Sequence, residues 1–179
     1  MGLPVWTIVA GVVVLLLAVW TAWTLTRLRR LEARVDRART ALETQLRRRA
    51  ALAAEVAREA APLLGPERTA GLARAAAGAR LPWTPDRELA ENVLGRELRA
   101  LVGELPQLAP ALAADLSGTA QRVGLARRFY NDAVRDTAEL RGRRLSRLLR
   151  LHARRPLPRY FDIDDSLGEL VGTAGPGRS

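Results

Sequence analysis

Between Leu3 and Leu25 the chain carries no charged side chain, and the run reads LPVWTIVAGVVVLLLAVWTAWTL. As a helix, about 23 residues span roughly 34 Å, which suits a hydrocarbon core of about 30 Å. Trp6 lies near one end of the run and Trp20 and Trp23 near the other, where amphipathic rings favour the headgroup region. The rival reading is a cleaved signal peptide, which needs a basic leading region, a shorter apolar stretch and small residues at the cut. Here MGLP has no Lys or Arg, the run is long, and bulky Trp sits where the cut should fall. The expectation is an uncleaved transmembrane anchor over residues 1–26.

Charge predicts the orientation. No basic side chain precedes the run, whereas Arg27, Arg29, Arg30, Arg34, Arg37 and Arg39 follow it. The flank rich in basic residues stays inside the cell, so the N-terminus is expected outside and the rest cytoplasmic, in a single-pass protein of the cell membrane.

About 150 residues follow, enough for one domain with a modest core. There is no Cys, hence no disulfide framework, thiolate nucleophile or Cys-ligated metal. Net charge is +10, and all 29 basic residues are Arg. Arg in place of Lys fits a GC-rich genome, while the excess positive charge calls for a partner or a location. An anionic lipid surface supplies one directly, because the chain is already tethered to the lipid bilayer.

The periodicity is helical throughout. Leu28, Leu31, Val35, Ala38 and Leu42 recur at spacings of three and four, and the stripe then shifts to Leu46, and on to Leu52 and Val56. No Gly or Pro interrupts residues 12 to 61, so the membrane helix is expected to continue as one rod ending near Pro62 to Pro66. The coiled-coil-like stripe admits a stalk that forms a homo-oligomer or an ordinary bundle helix; its drift and its Ala content favour the bundle. An Ala-rich helix is expected at about 67–79. LPWTPDRE starts another, with Thr84 as N-cap, Pro85 in the first helical position, and Leu89, Val93, Leu94, Leu98, Leu101 and Val102 as its apolar face. From Pro110 a long helix carries Leu112, Leu116, Thr119, Val123, Ala126, Tyr130, Ala133 and Thr137 on one stripe, and continues towards His152. PRYFDIDDS reads as a short extended segment, and no strand is needed. The predicted class is all-α, one N-terminal transmembrane helix followed by an antiparallel bundle of long helices over residues 27–161, with 162–179 a disordered Gly-rich tail.

One stretch, TAQRVGLARRFYNDAV at residues 119–134, resembles the signature of the LemA family of bacterial membrane-anchored helical proteins. Thr119, Arg122, Val123, Ala126, Arg127, Phe129, Tyr130, Asn131, Asp132, Ala133 and Val134 carry the resemblance. Val35-Asp36, Gln45-Leu46 with Arg48, Glu91-Asn92 with Leu94, Pro106 and Tyr160-Phe161 extend it. Arg30-Leu31 and Asp136-Thr137 stand where the family usually has Tyr-Asn pairs. A basic RGRRLSRLLRLHARR replaces its Phe-Pro and apolar stretch. The resemblance implies the membrane-anchored antiparallel bundle, and no enzymatic activity.

The residues offer little chemistry of their own. His152, the only histidine, has no carboxylate or His at i±3 or i±4 to make it a general base or zinc ligand. Asp162, Asp164 and Asp165 are clustered, but without the Gly turn and spaced ligands of a calcium loop. No phosphate loop, nucleophile elbow or zinc pattern exists. Neither a cofactor nor a metal is expected. Arg127, Phe129, Tyr130, Asn131, Asp132 and Val134 form the densest polar-aromatic block. It is read as structural, with Phe129 and Tyr130 packed between helices and Asn131 or Asp132 bonding a neighbouring helix or its end. On that reading Phe129→Ala costs about 3–5 kcal/mol. Leu145, Leu148, Leu149 and His152 share one helical face opposite a basic one, on which Arg147, Arg150 and Arg154 are the expected contacts to an anionic membrane surface.

These readings converge on a membrane-anchored helical scaffold that recruits another protein through its bundle and has no catalytic activity. The alternative is an Arg-rich module that binds nucleic acid or another anionic polymer. Against it, Arg alternates with Glu and Asp along the first helix, and no nucleic-acid fold signature is present.

Overall fold

The computed structural model describes residues 4–101, 103–104, 110–142 and 158–164. Among them are four helices, α1 (Val5–Leu64), α2 (Pro66–Gly78), α3 (Arg87–Leu101) and α4 (Pro110–Gly142), and no strand. Val102, the basic segment with Arg147, Arg150, His152 and Arg154, and the tail from Asp165 onward lie outside the described residues. The chain forms two compact units: Met1–Arg37 with Asp132–Arg159, and Ala38–Asn131 with Tyr160–Ser179.

α1 is a single helix through the apolar run and far beyond it, as its lack of internal Gly and Pro predicts. Near the N-terminus it is long and apolar enough to cross a membrane, with a mean hydropathy of 2.4 and no buried residue in that window. Within the run the Thr21 hydroxyl donates to the Leu17 carbonyl at 2.7 Å, and just past its end the Thr26 hydroxyl donates to the Ala22 carbonyl at 2.9 Å. Such back-bonding gives a hydroxyl a partner where water is absent. At the basic end the Arg27 guanidinium lies 5.6 Å from the centre of the Trp23 ring, a cation–π contact one turn apart.

In the first unit α1 buries Leu28 and Val35, and α4 buries Ala133, Val134, Thr137 and Leu140. Ion pairs join the helices, among them Arg34 to Asp136 at 2.9 Å and Arg141 to Glu32 at 2.6 Å. Arg141 is itself buried, its charge met by Glu32 at the edge of the apolar contact.

The second unit holds the larger core. α1 contributes Ala50, Leu52, Ala53, Val56 and Ala57, α2 Leu72, Ala75 and Ala76, α3 Leu94, Leu98 and Leu101, and α4 Ala113, Leu116 and Ala120. So many alanines let helix backbones approach closely, with leucines filling the gaps. α1 ends where Pro62 withdraws a backbone donor from the last turn. Gly65 then turns the chain with φ 85° and ψ 151°, a conformation that a Cβ disfavours, while its N–H bonds the Ala61 carbonyl at 3.0 Å. Pro66 follows at the start of α2, where its missing N–H costs nothing.

α3 begins two residues later than its sequence suggests. Thr84 and Pro85 close a turn in which the Arg87 N–H bonds the Thr84 carbonyl at 3.1 Å, and the first helical bond runs from Ala90 to the Asp86 carbonyl. Pro at the second position of a turn is as favourable as Pro at the start of a helix, and here the turn wins. The buried face of α3 is also rotated from the expected one. Arg87, Glu91, Leu94, Leu98 and Leu101 face inward, while Leu89 is 63% exposed.

Candidate functional site

The Arg127–Val134 block sits on α4, and its side chains diverge. Tyr130 is buried. Burial pushes its phenol above the ordinary value of 10, with Arg39 opposing and Glu88 reinforcing the shift. Phe129 corrects the sequence reading: it is 56% exposed rather than packed between helices. Together with Leu125 and Ala126 on α4 and Ala38 and Ala41 on α1, it lines an open apolar groove of about 320 Å³. Val134 is buried in the first unit, where Asp132 pairs with Arg135 at 2.8 Å.

Asn131 has a more particular task. Its Oδ1 accepts from the Phe161 N–H at 2.9 Å and its Nδ2 donates to the Phe161 carbonyl at 3.0 Å. One amide thereby satisfies both main-chain groups of a residue thirty positions away. Around Phe161 the segment is neither helix nor turn, and its exposure alternates: Tyr160, Asp162 and Asp164 are exposed, and Phe161 and Ile163 are buried. That alternation is the period of a strand, yet among the described residues no strand lies beside it to take its hydrogen bonds. Side chains of α3 do so instead. Glu88 Oε1 accepts from the Asp162 N–H at 2.8 Å, and Asn92 Oδ1 from the Asp164 N–H at 3.0 Å. The carboxylates face arginines, Asp164 to Arg99 at 3.0 Å and Asp162 to Arg127 at 3.6 Å. Asp162 and Asp164, considered above as cation ligands, are thus turned to cationic side chains.

Trp83, from the turn before α3, completes the site. Its ring lies 4.8 Å from that of Phe161 and 6.0 Å from that of Tyr130, both tilted. The Arg39 guanidinium stands 4.8 Å from the Trp83 ring centre. The aromatic residues therefore form a small wall against which Phe161 rests.

Beneath the same stretch of α3 is a polar cluster that the sequence reading missed. Glu91, with none of its side chain exposed, is held at 2.5 Å by Arg49 of α1 and at 2.9 Å by Arg87. Arg87 also donates to the Leu81 carbonyl, tying the α2–α3 connection to the helix. Two buried guanidinium groups share one buried carboxylate. A signal existed: Arg49 continues the stripe of Leu42 and Leu46 to Ala53 and Val56 at spacings of three and four, and Arg87 and Glu91 continue that of Leu94 and Leu98. Reading only apolar residues as core made the first stripe appear to shift.

Among the described residues no group of three or more His, Cys, Asp or Glu is placed to hold a metal ion. What the arrangement does chemically is hold an extended segment by its main chain. Comparison of the chain with protein-family models, curated proteins and solved structures finds no match.

Proposed function

We propose that this chain is a single-pass, membrane-anchored helical scaffold that recruits a protein partner and carries out no catalysis. Its N-terminus lies outside the cell membrane and its helical domain in the cytoplasm, and its architecture is a LemA-like antiparallel bundle. The observation that carries this reading is the continuity of α1, in which an uncharged stretch fit for a bilayer runs without a break into a helix that helps build a packed core. An anchor continuous in sequence with an interaction domain is the economical use of such a helix.

Other observations support the details. The antiparallel course is supported in the first unit by the pairs Glu32–Arg141 and Arg34–Asp136, since numbers rise along α1 as they fall along α4. The family likeness is supported by the tasks of Asn131, Glu91 and Asn92, residues of the resemblance that bond other elements. The non-catalytic reading is supported by the pairing of the buried charges, since Glu91 is held between two arginines. Surface arginines at 34, 68, 99 and 135 are engaged by carboxylates, which weighs against a free cationic face for nucleic acid. The anionic lipid surface remains the partner for the basic residues that follow the membrane segment.

The test is proximity labelling from a ligase fused after Ser179 in the native cell, combined with compartment-specific reporters at the same place. A cytoplasm-active reporter should work there, and a restricted set of proteins should be labelled. Activity only of an externally active reporter, or labelling no different from that of an anchored control domain, sinks the reading.

A further inference from the structure

Within the interaction role proposed above, on which this inference rests, one surface has the chemistry of a binding site and is already occupied. We propose that the face of α3 and α4 holding residues 160–164 is a recognition groove for an extended acidic segment of a partner protein, which Tyr160–Asp164 fills in cis.

The groove reads main chain. Asn131, Glu88 and Asn92 make four hydrogen bonds to the backbone of the occupant, at 2.8 to 3.0 Å. Such bonds are indifferent to the occupant's side chains, and recognition of an added extended segment works in the same way, with the backbone giving affinity and alternate side chains giving specificity. Specificity here comes from two positions spaced by two residues. Phe161 rests on Trp83, and Ile163 is buried. Charge sets the outward positions, where Arg99 and Arg127 meet Asp164 and Asp162. The pattern that fits is aromatic–Asp–aliphatic–Asp in an extended conformation.

The occupant is also separable from the fold. Neither Phe161 nor Ile163 belongs to the apolar cluster that packs α1, α2, α3 and α4 together, so the helices keep that core when the segment leaves. Its ion pairs are exposed on the acidic side, with Asp162 at 92% and Asp164 at 51%. Exposed pairs add little, so the hold on the segment rests on Phe161, Ile163 and four main-chain hydrogen bonds, all of which an incoming segment of the same pattern would replace. The segment in cis therefore acts as an autoinhibitory occupant that a partner segment displaces.

The experiment uses the full chain in detergent micelles and a fluorescent peptide with the sequence of residues 158–164. Phe161→Ala with Ile163→Ala removes the two buried side chains of the segment in cis, which weakens its hold on the groove without touching the walls. This variant should bind the peptide roughly tenfold or more tightly than the unmodified chain does, because an occupant in cis competes at an effective concentration on the order of millimolar. Adding Asn131→Ala should weaken that binding at least about tenfold, and a peptide with Ala for Phe and Ile should not bind. If the folded double variant binds both peptides alike, the groove is not a recognition site. Hydrogen exchange on the unmodified chain decides the matter if that variant fails to fold. The Phe161 and Asp164 amides should exchange on the order of a hundredfold faster than those of Leu94 and Leu98. Exchange of all four in one cooperative step overturns the proposal. If the unmodified chain is a dimer that the peptide splits, the occupant is a second copy and the separate partner falls. A failed peptide titration beside specific proximity labelling overturns the groove alone and leaves the interaction role standing.

Discussion

At the scale of single residues the burial of charge separates the positions that hold the fold from those that decorate it. Among the described residues Glu91 is the carboxylate that both Arg49 and Arg87 pair with, so Glu91→Gln takes the anion from two buried guanidinium groups. Removing one partner of a buried ion pair typically costs about 3–5 kcal/mol, and chemical denaturation should read a loss of that order. Phe129→Ala should instead change stability by less than about 1 kcal/mol, because the ring is largely in solvent. The contrast reverses the order that composition suggests, in which the aromatic residue is core and the charge is surface. Gly65→Ala should cost about 1–3 kcal/mol in thermal unfolding, since φ 85° with ψ 151° suits a residue without Cβ even though space is open around it. Tyr130 adds a pH dependence. Its folded-state pKa is raised, so its contribution is fully present below the unfolded value of about 10 and is lost as pH climbs through the higher folded value. Tyr130→Phe should flatten the fall in stability above pH 10, and an unchanged slope would show that the phenol is not responsible.

Elements were legible where periodicity and breakers agree. α1 and α2 run close to the limits that their Pro, Gly and spacing imply, α4 begins at Pro110 as expected while its continuation towards His152 lies outside the described residues, and the α4 stripe from Leu116 through Val123 and Tyr130 to Thr137 is buried as its spacing predicts. α3 starts later than its sequence predicts because Thr84-Pro85-Asp86-Arg87 satisfies the requirements of a helix N-terminus and of a turn equally, and only tertiary context decides between them. Its buried face differs from the apolar stripe because Arg87 and Glu91 occupy inward positions where an apolar residue is the usual choice. For α1 the expectation to test is insertion. Leu16→Arg places a charge in the middle of the apolar run, at about 2.5–3.5 kcal/mol on the insertion scale, and should reduce the membrane-integrated fraction measured after alkaline extraction. If the fraction is unchanged, α1 is not held by lipid.

For the whole molecule the governing quantity is the distribution of charge about the apolar run. Changing Arg27, Arg29 and Arg30 to Gln and placing two Arg in the first four residues removes the asymmetry that the proposed orientation depends on. A substantial fraction of chains should then invert, which protease protection of a C-terminal tag in sealed vesicles would read. If no chain inverts, orientation is set by something other than these arginines. The aromatic and amide cluster that holds Phe161 joins residues from positions 83, 88, 92, 131 and 161. Most of it could not be foreseen, because a hydrogen bond from a side chain to a distant backbone leaves no periodic trace in the sequence.

The sequence alone determined the long uncharged membrane-length run, the absence of thiol chemistry, the helical class and the α4 stripe, because each is a local property of hydrophobic spacing and of where Pro and Gly fall. Tertiary structure decided which charges are core and which aromatic is surface. It turned Phe129 outward and Tyr130 inward one residue apart, and it paired Arg49 with Glu91 across 42 positions. The physical reason is that a charge is stable in the interior only beside its opposite, and the position of that opposite depends on how the helices pack rather than on the sequence of either one.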